Sequence, residues 1–122
     1  MSLTTLTTEA IEEGSYFITV SFYNEDDDAV TPNAATIFWT LVDDNGSVIN
    51  DRDYEAETSG TSITIELGED DLAIQSWETV SIVQRHLIIQ WEYDSDLGND
   101  KLAKAVCTFP LRNLKRLPVL EV

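Results

Sequence analysis

One histidine, one cysteine and a surplus of carboxylates are the side chains of this 122-residue chain with chemistry to offer. A thiolate–imidazole pair would need His86 and Cys107 on one face of neighbouring strands. From Ile82 to Tyr93, the residues Leu87, Ile89, Trp91 and Tyr93 alternate with His86, Gln90 and Glu92, the period of a strand. Ala103, Ala105, Cys107 and Phe109 line one face of a later strand. If the two strands are neighbours, this parity sets His86 and Cys107 on opposite faces, which disfavours the dyad. The chain also lacks a G-x-S-x-G elbow, a phosphate-cradling glycine loop and a His/Cys metal set. Nucleophile, base and orienting group are not jointly present, so an enzyme is not expected.

The carboxylates suggest another chemistry. Glu25-Asp26-Asp27-Asp28 is a run of four acids, and Asp94-x-Asp96-x-Gly98-x-Asp100 spaces three more along a second loop. Clustered oxygen ligands on loops suit calcium. Asp26, Asp28, Asp94, Asp96 and Asp100 are therefore the candidate calcium ligands, provided the fold brings the two loops to one end. The spacing departs from the EF-hand, whose loop wants glycine at its sixth position and glutamate at its twelfth. A solvated acidic loop is the default reading, and no other cofactor is expected.

Net charge is −16 and unevenly spread. Residues 1–100 hold 22 acidic side chains against Arg52 and Arg85, a balance of −20, while residues 101–122 hold five basic ones against Glu121, a balance of +4. Such a field repels phosphate backbones and anionic membranes, so neither nucleic acid nor membrane is an expected partner. It also keeps a protein soluble at high concentration. The segment from Leu111 spaces leucines at intervals of three with basic residues between. It reads as a solvated or self-packed tail, or as an arm that docks on the acidic body of another subunit. Arg112, Lys115 and Arg116 are the residues expected to carry such a contact.

The elements that must position these groups are strands. Tyr16, Ile18, Val20 and Phe22 share one face; Ile37, Trp39 and Leu41 alternate with threonines; Ile63, Ile65 and Leu67 alternate with Thr64 and Glu66. Asn45-Gly46 predicts a type I′ hairpin turn with two positive-φ residues, and Ser47–Asn50 is expected to pair back. Asp51–Gly60 and Asp94–Asp100 read as loops. Gly68–Ile74, acidic in its first turn, predicts one helical turn near residues 69–74. Trp39 and Trp91 are in phase with the core. Trp77, in an irregular stretch, reads as a plug for the core's end and, failing that, as a sticky surface for a protein or sugar.

At 43% hydrophobic content the chain has enough apolar material for one domain, residues 1–110, followed by the basic leucine-containing tail 111–122. Its single cysteine excludes an internal disulfide. It shows neither a long apolar span nor the basic start and apolar core of a secretion signal, so a soluble intracellular protein is expected. About seven short strands without a long helix predict an all-β fold: an antiparallel two-sheet sandwich of immunoglobulin or fibronectin type III kind, with a β-barrel as competitor.

Three stretches, ITVSFYNEDDDAVTPNAATIFWTLVDDNGSVIN from Ile18, Glu69-Asp70-Asp71-Leu72-Ala73, and RHLIIQWEYDSDLGND from Arg85, resemble small proteins encoded in tailed-phage and prophage structural gene clusters. The resemblance spans most of residues 15–114 and lies in strand and turn grammar. It implies an immunoglobulin-like domain without enzyme activity, placed in the virion, or in the bacterial host cytoplasm during assembly. Its partners would be other phage structural proteins of head, connector or tail, with homo-oligomers as a further option. The alternative expectation is a calcium-dependent or carbohydrate-binding module using the acidic loops with Trp77 or Tyr23.

Overall fold

Period-2 alternation of apolar side chains becomes eight strands in the computed structural model, which describes residues 2–114, with side chains from Thr5 onward. Lys115, Arg116 and the rest of the tail lie outside the described residues. The strands are β1 (Ser2–Thr5), β2 (Ala10–Ile11), β3 (Ser15–Ser21), β4 (Ile37–Val42), β5 (Glu55–Glu57), β6 (Ser62–Gly68), β7 (Ile82–Ser95) and β8 (Gly98–Arg112). The expected helical turn is present as a single 3-10 turn, Glu69–Leu72.

The fold is all-β. Six strands form one sheet in the order β1-β8-β7-β4-β5, with β2 joining β8 beyond β1; β3 and β6 pair antiparallel as a second, two-stranded sheet. The larger sheet is mixed rather than wholly antiparallel, because β1 and β2 both run parallel to β8. The antiparallel neighbours β7 and β8 are joined by a tight turn, whereas the first and last strands are joined only through the whole domain, which frees them to lie parallel. Between the sheets lies one core: Tyr16, Ile18 and Phe22 of the β3 segment and Ile65 and Leu67 of β6 face Trp39, Leu41, Leu87, Ile89, Trp91, Phe109 and Leu111. Phe22 meets Trp91 edge-on at 4.9 Å, and Tyr16 stacks on Phe109 at 4.8 Å.

Local chemistry redraws several loops. The turn at Asn45-Gly46 has only Gly46 at positive φ, +80°. Asp43 accounts for this: its Oδ1 accepts the amides of Asn45 and Ser47 at 2.9 and 3.0 Å, an Asx arrangement that favours a three-residue loop with a glycine bulge. The pair of positive-φ residues expected there occurs instead at Asn50 and Asp51, where the amide of Arg52 closes on the carbonyl of Ile49. Ser47–Asn50 is no strand; only Val48 bridges back, to Val42. The supposed connection 51–60 contains β5, paired with β4.

Asp94–Asp100 is likewise not an open loop. β7 and β8 continue to Ser95 and Gly98 and leave a two-residue turn, with the register shift falling between Tyr93 and Ser95. At the other end β8 runs through Arg112; Leu111 and Asn113 are buried, so residues 111–113 belong to the body.

Candidate functional site

The two acidic segments lie at one end of the molecule. Ser95 Oγ donates to Glu25 Oε1 at 2.7 Å, tying the 25–28 run to the β7–β8 turn. Beside this contact Asn33 Nδ2 donates to Asp94 Oδ1 at 3.1 Å and to Asp100 Oδ1 at 2.9 Å. The amide of Asp100 also reaches Asp94 Oδ1, at 2.9 Å. These donors, the Asp100 amide first and Asn33 second, hold the exposed Asp94 carboxyl below its ordinary pKa. Asp26 and Asp28 remain exposed, their amides folded onto Asn24 Oδ1.

The structure thus pairs Asp94 with Asp100 without gathering Asp26, Asp28 and Asp96 around them. Among the described residues no three His, Cys, Asp or Glu side chains are arranged to hold a metal ion. Asn24 and Asn33, the residues that organise this end, gave no sequence signal beyond lying in turns.

His86 and Cys107 fall on opposite faces of the larger sheet, as the parity required: His86 pairs with Thr108, and Leu87 with Cys107. Burial pushes the Cys107 thiol up, away from the reactive thiolate. His86 has different partners, with Nε2 2.7 Å from Asp44 Oδ1 and Nδ1 2.8 Å from Thr108 Oγ1. This carboxylate–imidazole–hydroxyl line has the order of a hydrolytic triad, and its residues lie far apart in sequence. Thr108, however, sits mid-strand between β1 and β7, where backbone amides are spent on ladders and do not form an oxyanion hole. The line fastens the Asp43–Gly46 turn to the sheet.

The remaining charged groups sort by burial. Arg85 is fully buried on the core face of β7; it binds Glu78 at 2.5 and 2.7 Å and the carbonyl of Ala73 at 3.2 Å. Arg85 shares the parity of Leu87 and Ile89, and its partner comes from the irregular segment before β7. Asp71, in the 3-10 turn, is 2% exposed and receives Arg52, Asn50 and the amide of Gly68. Burial alone would raise its carboxyl; the hydrogen bonds from Arg52, Asn50 and Gly68 outweigh that and hold it below the ordinary value.

Arg112, expected to be available to a partner, makes a two-pronged contact with Glu9 at 2.9 and 2.7 Å within its own chain. Trp77 does not plug the core. It is 55% exposed, close to Val80 and Ile82 beside the Asp43–Asn45 turn. The core is closed at that level by Val83 and Arg85, so the tryptophan was left over.

No helix among the described residues is long and apolar enough to cross a membrane. Comparison with family models, with curated proteins and with solved structures finds no match.

Proposed function

We propose that this chain is a non-enzymatic structural or assembly protein of a phage or prophage. In this reading it is an immunoglobulin-like sandwich that works through contacts with other proteins of the head, head–tail connector or tail. The observation that carries the contact role is the set of large apolar side chains left outside an otherwise acidic body: Phe17, Tyr54, Trp77, Leu97 and Leu102 are each more than half exposed. Groups of this kind in a chain of net charge −16 point to surfaces kept soluble by charge and covered on association. The immunoglobulin-like reading is supported by β1 flanking β8 in parallel while β3 and β6 form the opposing sheet. The phage reading is supported by the resemblance of residues 15–114 in strand and turn grammar.

The test is the protein inventory of purified particles from the source lysogen, together with co-expression of this chain with the products of its neighbouring genes. A stoichiometric presence in particles, or a defined complex with a head, connector or tail protein, is the expected result. Absence from particles combined with no such complex overturns the proposal. A second reading, a calcium-dependent or carbohydrate-binding module, has the Asp94–Asn33–Asp100 convergence and the exposed Trp77 in its favour. A calcium titration that raises the melting temperature would favour it over the first.

A further inference from the structure

The two-stranded sheet is unfinished on the side of β3. Phe22 donates its amide to Thr61 across the β3–β6 register, so the even-numbered residues of β3 turn their backbone groups toward β6. By alternation Phe17, Thr19 and Ser21 turn their N–H and C=O groups the other way, where no described strand pairs with them. Natural edge strands are blunted by charge, proline or a bulge, yet β3 reads Ser-Tyr-Phe-Ile-Thr-Val-Ser, without a charged residue in a chain that is 25% charged.

Along this edge runs a groove of about 730 Å³, bounded on its far side by Thr5–Thr8 and the middle of β8, with Ile89, Trp91 and Cys107 at its floor. The Nε1 of Trp91 is buried and meets no hydrogen-bond acceptor among the described residues. Among the described residues Asp27 is the only ionised side chain lining the groove, at the end where β3 runs into the acidic loop 25–28.

The geometry points to strand addition: the groove accepts the C-terminal segment Lys115–Val122 of a second copy of this chain, laid antiparallel along the free edge of β3. This deepens the proposed function and rests on its reading of the chain as an assembly component. Charge sets the direction. The segment begins with Lys115-Arg116, continues Leu-Pro-Val-Leu and ends Glu-Val, so its basic start belongs beside Asp27 and its mainly apolar remainder along Ser21 to Tyr16. Strand addition supplies main-chain hydrogen bonds to Phe17, Thr19 and Ser21, while alternate side chains cover the exposed flank of the core.

The antiparallel direction assigns the donor to another molecule. Arg112 is held by Glu9, and the amide of Leu114 by Glu12, which fixes the end of β8 near the start of β3. The acidic loop lies at the opposite end of β3, a strand of seven residues, roughly 23 Å away at the rise of an extended chain. An antiparallel donor must start at that far end, and a second copy can supply one from there. Because each copy offers one segment and one groove, two copies can exchange segments reciprocally, and a one-way contact can propagate beyond a dimer.

The test uses the full chain. Thr19→Cys combined with Val119→Cys, with each single variant as control, should give disulfide-linked dimers and longer species under mild oxidation. Light scattering should show a concentration-dependent oligomer that weakens with salt. Thr19→Pro, which removes an outward N–H without touching the β6 ladder, should raise the dissociation constant by about tenfold or more while the far-UV spectrum stays that of the parent. A cross-link confined to single chains overturns the assignment to a second copy. A monomeric parent without cross-links overturns the strand addition altogether, and does so even if Thr19→Pro fails to fold. Neither result touches a complex with a foreign head or tail protein, which the co-expression experiment reads separately.

Discussion

Arg85 and Arg112 stand on neighbouring strands of one sheet, each gripping a glutamate with two nitrogens, yet they are different interactions. The Arg85–Glu78 pair is 0% and 10% exposed; the Arg112–Glu9 pair is 26% and 33% exposed. Buried, the arginine has lost its water and depends on Glu78 and two carbonyls, and its Nε meets no acceptor among the described residues. Half-exposed, Arg112 can exchange Glu9 for solvent. Identical chemistry therefore ties the irregular 73–80 segment firmly to the core, but at Glu9 adds little to a backbone ladder that already holds β1 and β2 on β8. Asp71 with Arg52 falls between, with one partner buried and the other 36% exposed.

The largest expected effect breaks the buried member. Glu78→Ala leaves the Arg85 guanidinium in the core without its counter-charge and should cost about 3–5 kcal/mol in urea unfolding. The double change Arg85→Met with Glu78→Leu should recover most of that loss, because a buried pair is often no better than apolar residues of similar volume. Failure to recover would mean that the arginine specifies the path of the 73–80 segment rather than merely filling it.

Asp71→Asn should cost about 1–3 kcal/mol, since the buried site keeps its donors but loses the charge they were arranged to meet. The pH dependence follows from the same carboxyl. Its folded pKa lies below the ordinary value, so its stabilising contribution is complete above the ordinary carboxylate range and fades as the pH falls toward and through the lower folded value. A thermal melt series from pH 6 to pH 2 should fall more steeply for the parent than for Asp71→Asn.

Gly46→Ala, placing a side chain at φ +80° in open space, should cost about 1 kcal/mol and speed amide exchange in the Asp43–Ser47 turn. The smallest effect belongs to Arg112→Ala, which should leave the urea midpoint within measurement scatter. A marked loss there would erase the contrast between the two arginines.

The strands were legible because their burial is one-sided. β4 was read to the residue, and β3, β6 and β7 nearly so, since alternating apolar side chains report a half-buried sheet whatever its neighbours. What alternation cannot report is pairing across the whole chain. The parallel lie of β1 and β2 along β8 depends on where the two ends finish, and β5 has three residues, two of them glutamates.

Turns failed where a side chain took over the backbone's work, as Asp43 does for Asn45 and Ser47. At the acidic end the convergence of loops was readable from topology, but its organiser, Asn33, was not: one asparagine in a loop looks like any other until Asp94 and Asp100 arrive beside it from more than sixty positions away. Trp77 was misjudged because the core's end is filled from β7 by Val83 and Arg85, and a charged residue is not the expected competitor for that space.

The parallel contact of β1 with β8 has a mechanical side. Tension on the two ends of the chain would enter through the start of β1 and the finish of β8, pulling parallel neighbours in opposite senses along their length. The hydrogen bonds between them, from the Ser2–Ala105 pair to the Thr5–Thr8 stretch beside Thr108, would share that load together instead of opening one after another. A strand of four residues is thereby the element that decides how much force the domain withstands before it opens.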